Sequence, residues 1–214
     1  FRDIPACLGE QPSFRNLKEF CQQSLDPSRS MLGAAQENWL FRGLGHHKAR
    51  WNAIVQTTMM APFDFLRGVG HAHDMDGWDG YSATRQRIID HVASTKISNP
   101  VSIGGNIHAY YAGVVHRVAT DPQSEPVMSE IVATSITSGG GGDQRYVETN
   151  TQFDENPFAR YFENRKRGYV LCDVNHDLWL NKFRVVDNVS DPHSKASTLA
   201  VASIESGKVD VNMG

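Results

Sequence analysis

The stretch PVSIGGNIHAYYAGVV, residues 100–115, predicts a strand that ends at a binding site. An apolar run at Val101–Ile103 meets two glycines, and Asn106 and His108 follow one residue apart before a second apolar and aromatic run begins. Glycines at the end of a strand let the backbone turn sharply and let a ligand approach closely. Sites in α/β proteins form at the carboxyl ends of strands, which is where this pattern places the amide and the imidazole.

Asn106 and His108 are candidate metal ligands. Imidazole nitrogen is a good ligand for iron, zinc or manganese, and amide oxygen suits a hard ion such as calcium. Two side chains one residue apart on an extended segment point the same way, so the pair is predicted to share one metal or a metal pair. The alternative left open by the residues is a histidine that hydrogen-bonds to backbone at the end of a strand.

The stretch HAHDMD, residues 71–76, is a second candidate because two histidines and two aspartates crowd one segment. An H-x-H pair can bind a metal; a solvated loop tip is the alternative. The surrounding Gly- and Asp-rich segment at residues 62–81 is predicted to be a long loop, and ordered loops of this kind often carry function.

Composition and charge exclude several classes of protein. The chain has 214 residues, 40% of them hydrophobic and 21% charged, which is typical of one soluble globular domain. The net charge of −3 argues against a nucleic-acid partner, and the basic run Arg165–Arg167 is predicted to be a solvated turn. No apolar run approaches the roughly 20 residues that span a bilayer, so no membrane span is expected.

The ends of the chain and its cysteines bear on processing. The opening FRDIPACLGE lacks the features of a signal peptide and does not begin with Met, so we expect a processed product or a piece of a longer protein. The three cysteines are Cys7, Cys21 and Cys172. Cys7 and Cys21 could pair in an exported protein, or all three could be free thiols, and the sequence leaves both open.

The order of predicted elements indicates an α/β layered domain whose second half is mostly antiparallel sheet. Helical spacing of apolar residues predicts a helix through residues 34–44 and another at 82–95, for which Ser82 is the expected N-cap. Strand-like runs are predicted at 51–60, 101–103, 109–119, 127–136, 168–174 and 179–189, with a last short strand near the end. The expected division is an irregular lead-in at 1–30, the main domain at 31–206 and a tail at 207–214.

Six segments, in sequence order, resemble one family: MLGAAQENWL (31–40), ARWNAIVQTTMMA (49–61), DGWDGYSATRQRIIDHV (76–92), NPVSIGGNIHAYYAG (99–113), IVATSITSGG (131–140) and RGYVLCDVNHDLWLNKFRVVDNV (167–189). They are similar to the carboxyl-terminal half of the alkaline phosphatase D (PhoD-like) metallophosphoesterases, over roughly residues 30–205.

The resemblance implies a partial calcineurin-like metallophosphoesterase sandwich, which is an α/β fold of two stacked sheets flanked by helices. It also implies an exported enzyme that uses metals, namely calcium and iron, to hydrolyse small phosphate mono- and diesters. The family motif is Gly-Asp-x-His, so His108 keeps its place as a metal ligand and Asn106 stands where the acid is expected. Trp78, Asp79 and Tyr81 are expected to shape the loop over the substrate cleft.

Three departures from the family pattern limit what this chain is expected to do. Asn106 supplies an oxygen without a charge, and Phe158 stands where a histidine is common. The amino-terminal half, which carries most of the family's metal-binding carboxylates, has no counterpart here, so this chain alone is not expected to assemble a complete metal centre. The sequence assigns no catalytic residue.

Two functions follow from these observations. The first is a metal-dependent phosphoesterase of which this chain is the carboxyl-terminal part, and the second is a non-catalytic remnant or binding module of the same family. Half a sandwich would leave one sheet without its partner layer. We therefore expect the missing amino-terminal half or a second copy of the chain as a partner, or else marginal stability.

Overall fold

Helices and strands alternate in the first half of the chain, and strands fill the second. The computed structural model describes residues 3, 7, 17–45, 48–138 and 155–214. The helices are α1 (Gln22–Leu25), α2 (Ala34–Gly45) and α3 (Ser82–Ser94), with a 3-10 turn at Trp78–Tyr81 before α3. The strands are β1 (Leu17–Lys18), β2 (Asn52–Val55), β3 (His73–Asp74), β4 (Pro100–Gly104), β5 (Tyr110–His116), β6 (Pro126–Val132), β7 (Ala159–Glu163), β8 (Gly168–Val174), β9 (Leu178–Val186), β10 (Ala196–Glu205) and β11 (Asn212–Met213).

A five-stranded sheet in the order β2-β4-β6-β5-β7 lies at the centre of the fold. Strands β2, β4 and β6 are parallel, whereas β5 runs antiparallel to both of its neighbours. Val55 pairs with Ile103, and Ile103 pairs with Ile131. The three parallel strands therefore end together, and the loops that leave them meet at one edge of the sheet.

A four-stranded antiparallel sheet in the order β11-β10-β9-β8 stacks on one face of the five-stranded sheet. The contact is apolar and aromatic: the ring of Phe183 lies 5.3 Å from that of Tyr110 and 5.1 Å from that of Tyr161, centroid to centroid. Helices α2 and α3 cover the other face, where Ile88 and Ile89 are buried. The predicted arrangement of two stacked sheets flanked by helices is confirmed, and the antiparallel character of the second sheet with it.

The five-stranded sheet is thus covered on both faces, so the expectation of a sheet without its partner layer does not hold for it, whereas the outward face of the four-stranded sheet leaves Tyr169 and Leu171 exposed. The second sheet supplies that layer from residues that follow the first one in the chain. The side chain of Asn181 is a buried polar group between the layers: it accepts a hydrogen bond from Trp179 Nε1 at 2.9 Å and donates one to the carbonyl of Ala202 at 3.3 Å. Its side chain is fully buried.

Several predicted elements differ in detail from the observed ones. The strand predicted over 51–60 ends at Val55, because the loop that follows it turns towards the edge of the sheet. Ser82 is the first helical residue rather than the N-cap, which is Tyr81, and the Ser82 hydroxyl donates to the carbonyl of Asp79 at 2.9 Å. Strands β7 and β10 were not predicted. The sequence SGGGGD at 138–143 predicts a flexible turn, and all of it after Ser138 lies outside the described residues.

A disulfide joins Cys7 to Cys21, with 6.1 Å between their Cα atoms, and resolves the alternative that the sequence left open. Cys172 is a free thiol on β8. Within the expected lead-in at 1–30, the short α1 and β1 form, and β1 pairs with β3. The division of the chain into lead-in, domain and tail stays a prediction. None of the helices in the described part of the chain combines the length and hydrophobicity of a membrane-spanning segment.

Candidate functional site

The candidate site is the edge of the five-stranded sheet where β2, β4 and β6 end. The loop after β4 lies between the other two, because the amide of Ala133 donates to the carbonyl of Gly104 at 3.0 Å and the amide of Gln56 donates to that of Ile103 at 3.0 Å. Three segments therefore converge at this edge, and they are residues 56–58, 105–109 and 133–135. This is the place in an α/β sheet where ligand sites form.

Gly104 allows the loops after β2 and β4 to approach each other. A Cβ atom at this position would lie 2.5 Å from the carbonyl oxygen of Thr58, which is closer than real contacts of that kind. The approach brings Asn106 to the β2 loop, where its Nδ2 donates to Thr58 Oγ1 at 3.3 Å. The glycine pair that the sequence singled out thus has one member with a definite steric role.

Asn106 and His108 both have a left-handed backbone, with φ of 70° and 55°. Strand β4 ends at Gly104, so the prediction that the two residues lie on one extended segment and point the same way is wrong. Asn106 is exposed, His108 is partly exposed, and the buried Ile107 between them anchors the loop to the core. The imidazole is therefore at the rim of the sheet rather than in the apolar interior.

The side chain of Arg167 fixes the loop that carries Asn106 and His108. Its Nη1 donates to the carbonyl of His108 and to Thr134 Oγ1, both at 3.2 Å, and its Nε donates to the carbonyl of Ser138 at 2.7 Å. Burial lowers the pKa of Arg167 from its ordinary value, and Tyr110 and Glu163 act in the opposite direction. Arg167 is buried, so the interpretation of its basic run as a solvated turn is wrong for this residue.

The residues expected to shape the cleft loop are all buried. The indole Nε1 of Trp78 donates to Gln56 Oε1 at 2.7 Å, and Trp78 lines a cavity of about 410 Å³ beside the site. The hydroxyl of Tyr81 donates to the carbonyl of Asp3, and Asp79 accepts from Arg85. Of the three, only Trp78 faces the cavity.

Asp79 forms a buried ion pair beneath this loop. Burial by itself raises the pKa of the Asp79 carboxyl, but the Arg85 guanidinium and the nearby His73 outweigh that effect and hold the pKa below its ordinary value. The Nδ1 atom of His73 lies 3.6 Å from the other Asp79 oxygen. The carboxylate is therefore charged and structural, and it fixes the turn that carries Trp78.

Glu130, in the middle of β6, clamps the loop after β2. Its two carboxylate oxygens accept the backbone amides of Met60 and Ala61, each at 2.7 Å, and the hydroxyl of Ser102 donates to it at 3.0 Å. Burial raises the pKa of Glu130 to about 7. Glu130 was not predicted as a site residue, although an acid inside the apolar run VMSEIV is a visible signal.

The two histidines of the HAHDMD segment lie side by side, with ring centroids 5.9 Å apart, but they have separate partners. His71 Nδ1 lies 2.6 Å from Asp64 Oδ2, whereas His73 Nδ1 lies 3.2 Å from the carbonyl of Phe63, and its ring stacks on Phe20 at 4.2 Å. Among the residues that the structure describes, no three His, Cys, Asp or Glu side chains are placed to hold a metal ion. The second predicted metal site is thus not supported there.

The absence of a three-ligand cluster among the described residues also tests whether a calcium–iron centre fits the candidate site. Asn106 and His108 supply two uncharged donors, and the described part of the chain adds no carboxylate cluster to them. Calcium takes several oxygen ligands that usually include carboxylates, and iron takes imidazole together with carboxylate ligands. The residues present do not complete such a centre.

Comparisons with known proteins converge on one family. The family model of the PhoD-like phosphatases matches residues 1–183. Alkaline phosphatase D of Bacillus subtilis is 38% identical over 178 residues, which cover 83% of this chain and 30% of that protein. A solved structure of PhoD matches 100% of this chain with a TM-score of 0.89 and 33% identity, over 40% of its own length. The chain thus spans less than half the length of either relative.

Proposed function

Because this chain belongs to the PhoD-like phosphatase family, we propose that it supplies the carboxyl-terminal part of a metal-dependent phosphoesterase that hydrolyses small phosphate mono- or diesters. The observation that carries the proposal is the loop of residues 104–108, which lies at the carboxyl edge of three parallel strands with its imidazole and amide towards the surface. The main domain proposed for this activity is residues 31–206.

In this proposal His108 is a metal ligand and Asn106 is a weaker, uncharged one. Bound calcium and iron would neutralise phosphate oxygens and stabilise the charge of the transition state. Two neutral donors do not hold such ions alone, so hydrolysis requires anionic ligands from polypeptide outside the described residues. The chain's own contribution is to fix the loop, through Gly104 against Thr58 and through Arg167 beneath His108.

An activity assay tests the proposal directly. The chain is expressed with the coding sequence that flanks it and assayed on p-nitrophenyl phosphate and bis-p-nitrophenyl phosphate, with calcium and iron added. We expect turnover that His108→Ala abolishes and that the 214-residue chain alone does not give. Absence of turnover together with absence of bound metal in elemental analysis would remove the proposal.

A non-catalytic remnant or binding module is the second candidate. It is favoured by the neutral Asn106. It is also favoured by Phe158, which stands where the family commonly has a histidine and which is buried, with its ring centroid 5.5 Å from that of His116. Asn106→Asp separates the two functions. Tight metal binding by this variant would indicate that only a charge is missing, whereas a variant that stays free of metal would leave binding or scaffolding.

We also propose that the protein is exported. The support is the Cys7–Cys21 disulfide, since disulfides form and persist in oxidising compartments and are rare in the cytosol. Localisation of a tagged full-length product by cell fractionation tests this. Recovery in the reduced cytosolic fraction, with Cys7 and Cys21 free, would contradict it.

A further inference from the structure

A series of hydrogen bonds, here called the Glu130 network, joins the buried acid of β6 to the candidate site. The hydroxyl of Ser102 donates to Glu130 Oε1 at 3.0 Å, and Gln56 Nε2 donates to Ser102 Oγ at 3.2 Å. The carbonyl end of the Gln56 amide accepts the backbone N–H of Thr58 at 3.1 Å, and Thr58 Oγ1 accepts from Asn106 Nδ2 at 3.3 Å. The network therefore runs without a break from the core to the loop that carries Asn106.

The direction of the inner links, from Gln56 to Glu130, is fixed by groups that can only donate. The indole Nε1 of Trp78 donates to Gln56 Oε1 at 2.7 Å, and the backbone amide of Thr58 donates to the same oxygen. Neither N–H group can accept a hydrogen bond, so the Gln56 amide has one possible orientation, with Nε2 towards Ser102. Ser102 accepts from Nε2 and directs its own proton to Glu130.

The carboxylate at the end of the network accepts from three donors. Besides Ser102, the backbone amides of Met60 and Ala61 donate to its two oxygens, each at 2.7 Å. A proton on Glu130 needs an acceptor, and among these donors only the Ser102 hydroxyl can turn to provide one. Ser102 must then donate in the direction from which Gln56 presents its own N–H. Protonation of Glu130 thus obliges the Gln56 amide to leave the donors that hold its oxygen.

In the described part of the chain, Arg85 on α3 and Tyr111 on β5 are the ionisable side chains that face Glu130. Arg85 is paired with Asp79, and its charge lowers the pKa of Glu130. Burial raises the pKa of Tyr111 well above its ordinary value, so its hydroxyl stays neutral. The elements that supply the three donors contribute only uncharged groups, and burial of Glu130 outweighs them and raises its pKa to about 7. The charge of this region therefore changes at Glu130.

We propose that Glu130 is a positioning residue for Asn106. While the carboxylate is ionised, Gln56 holds the loop after β2 in place, and Thr58 keeps the Asn106 nitrogen towards that loop and its oxygen towards the opposite side. When Glu130 takes up a proton, the network opens at Gln56 and Asn106 loses this fixed orientation. The candidate site is therefore ordered above neutral pH and loosened below it. This coupling goes beyond the proposed function and relies on it only for its consequence in hydrolysis.

Side-chain NMR of the 214-residue chain tests the coupling without metal or activity. We expect the amide resonances of Gln56 and Asn106 and the indole resonance of Trp78 to titrate together, with a midpoint near pH 7. Glu130→Gln sets an N–H group against a backbone N–H, so in this variant the three resonances should stay at their low-pH positions at every pH. Imidazoles also titrate near neutral pH, and every variant keeps His108, so its effect cancels in the comparison.

Two serines of similar burial provide a matched pair of variants. Ser102→Ala removes one link, so the Gln56 amide should no longer titrate, whereas the carboxyl resonance of Glu130 still should. Ser129 on β6 is also buried, but its hydroxyl donates to the carbonyl of Asp210 at 3.4 Å, so Ser129→Ala should leave the coupling unchanged. Titration of Gln56 that persists in Glu130→Gln or in Ser102→Ala, or that is absent from the unaltered chain, would overturn the inference.

The consequence for hydrolysis is measured on the chain expressed with its flanking sequence, using bis-p-nitrophenyl phosphate. The ratio of kcat in the unaltered protein to kcat in Glu130→Gln should rise severalfold as the pH is raised through 7, because the network closes only in the former. A purely structural defect would keep this ratio constant, and a constant ratio would overturn the positioning role. Coupled titration in the NMR spectra without any turnover would preserve the inference and reject the proposed activity instead.

Discussion

Gly104 decides how closely the loops after β2 and β4 can approach, and one methyl group there tests this. In Gly104→Ala the new Cβ atom would lie 2.5 Å from the carbonyl oxygen of Thr58. We expect a loss of about 1–3 kcal/mol in the free energy of unfolding, which is the usual cost of overpacking. Urea denaturation measures it.

The neighbouring glycine is the control for this substitution. At Gly105 the nearest atoms would lie 3.8 Å and 3.9 Å from an added Cβ, which is an ordinary contact distance. Gly105→Ala should therefore leave the free energy of unfolding nearly unchanged. Equal effects of the two substitutions would show that glycine flexibility, and not the approach to Thr58, matters at this edge.

His108 provides the residue-scale test of the metal proposal. Its side chain is partly exposed, so His108→Ala should change the melting temperature little while removing metal bound by the protein expressed with its flanking sequence. Elemental analysis and thermal unfolding measure the two effects. His71→Ala is the comparison. The imidazole of His71 pairs with Asp64, so this substitution is expected to leave the metal content unchanged. A large loss of stability without a change in metal content would identify His108 as a structural residue.

The sequence predicted where the candidate site lies better than it predicted the geometry of the site. The glycines after Ile103 marked the end of β4 because few other residues allow so abrupt a turn. The positive φ values of Asn106 and His108 left no comparable signal, since neither residue type requires that conformation. Arg167 escaped prediction for another reason: its partners are carbonyl oxygens of distant loops, which depend on the tertiary fold.

At the scale of elements, β6 is joined to the loop after β2 by a single carboxylate. Burial raises the pKa of Glu130 from its ordinary value of 4.5 to about 7. Between these two values the folded protein keeps a proton that the unfolded chain releases, so the stability from this group is present below pH 4.5 and is lost as the pH rises through 7. The loss is at most about 3.5 kcal/mol, since one pKa unit corresponds to about 1.4 kcal/mol.

Comparison with Glu130→Gln isolates this contribution from the histidines that titrate in the same range. The variant should be less stable overall, because an amide cannot accept from both Met60 and Ala61, but it should lose this part of the pH dependence. Urea denaturation at pH 5 and pH 8 gives the difference for each protein. Identical differences would show that Glu130 has an ordinary pKa.

The disulfide ties the beginning of the described chain to α1, since Cys21 is the N-cap of that helix. Thiol titration of the denatured, unreduced protein should find one thiol, that of Cys172, and titration after reduction should find three. Reduction should lower the stability by about 3 kcal/mol if loop closure dominates, because residues 7 and 21 enclose a loop of about 15 residues. Three thiols before reduction would contradict the pairing.

Most elements were predictable where a periodic pattern ran the full length of the element. Helices α2 and α3 carry an apolar stripe, and their observed bounds differ little from the predicted ones. Strand β10 was missed because its sequence, ASTLAVASIE, intersperses its Thr, Val and Ile among alanines and serines and shows no clear alternation of apolar and polar residues. Its pairing with β9 over nearly its whole length determines its conformation, and such long-range pairing is not visible in a local pattern.

At the scale of the whole molecule, the stacking of the two sheets alters the reason to expect association. The prediction of a dimer or of marginal stability assumed an uncovered sheet face. The five-stranded sheet is covered on both faces, and exposed apolar side chains remain at Val55 and Trp39 and on β8 of the second sheet, at Tyr169 and Leu171. Association of two copies stays a prediction. Size-exclusion chromatography with light scattering at several concentrations tests it, and any dimer should weaken in Val55→Arg.

The amide of Asn181 also determines which alignment of strands β8, β9 and β10 can persist. Its hydrogen bond to the carbonyl of Ala202 on β10 and the contact of its oxygen with the Cys172 thiol on β8, at 3.4 Å, both depend on the observed pairing. A slip of one residue would turn this side chain to solvent and drive Leu180 or Lys182 into its place, exchanging the two faces of the strand. With an apolar side chain at position 181, several alignments would have similar energies. The single amide thus acts against misaligned folding, and Asn181→Leu would be expected to leave the sheet formed but with more than one register.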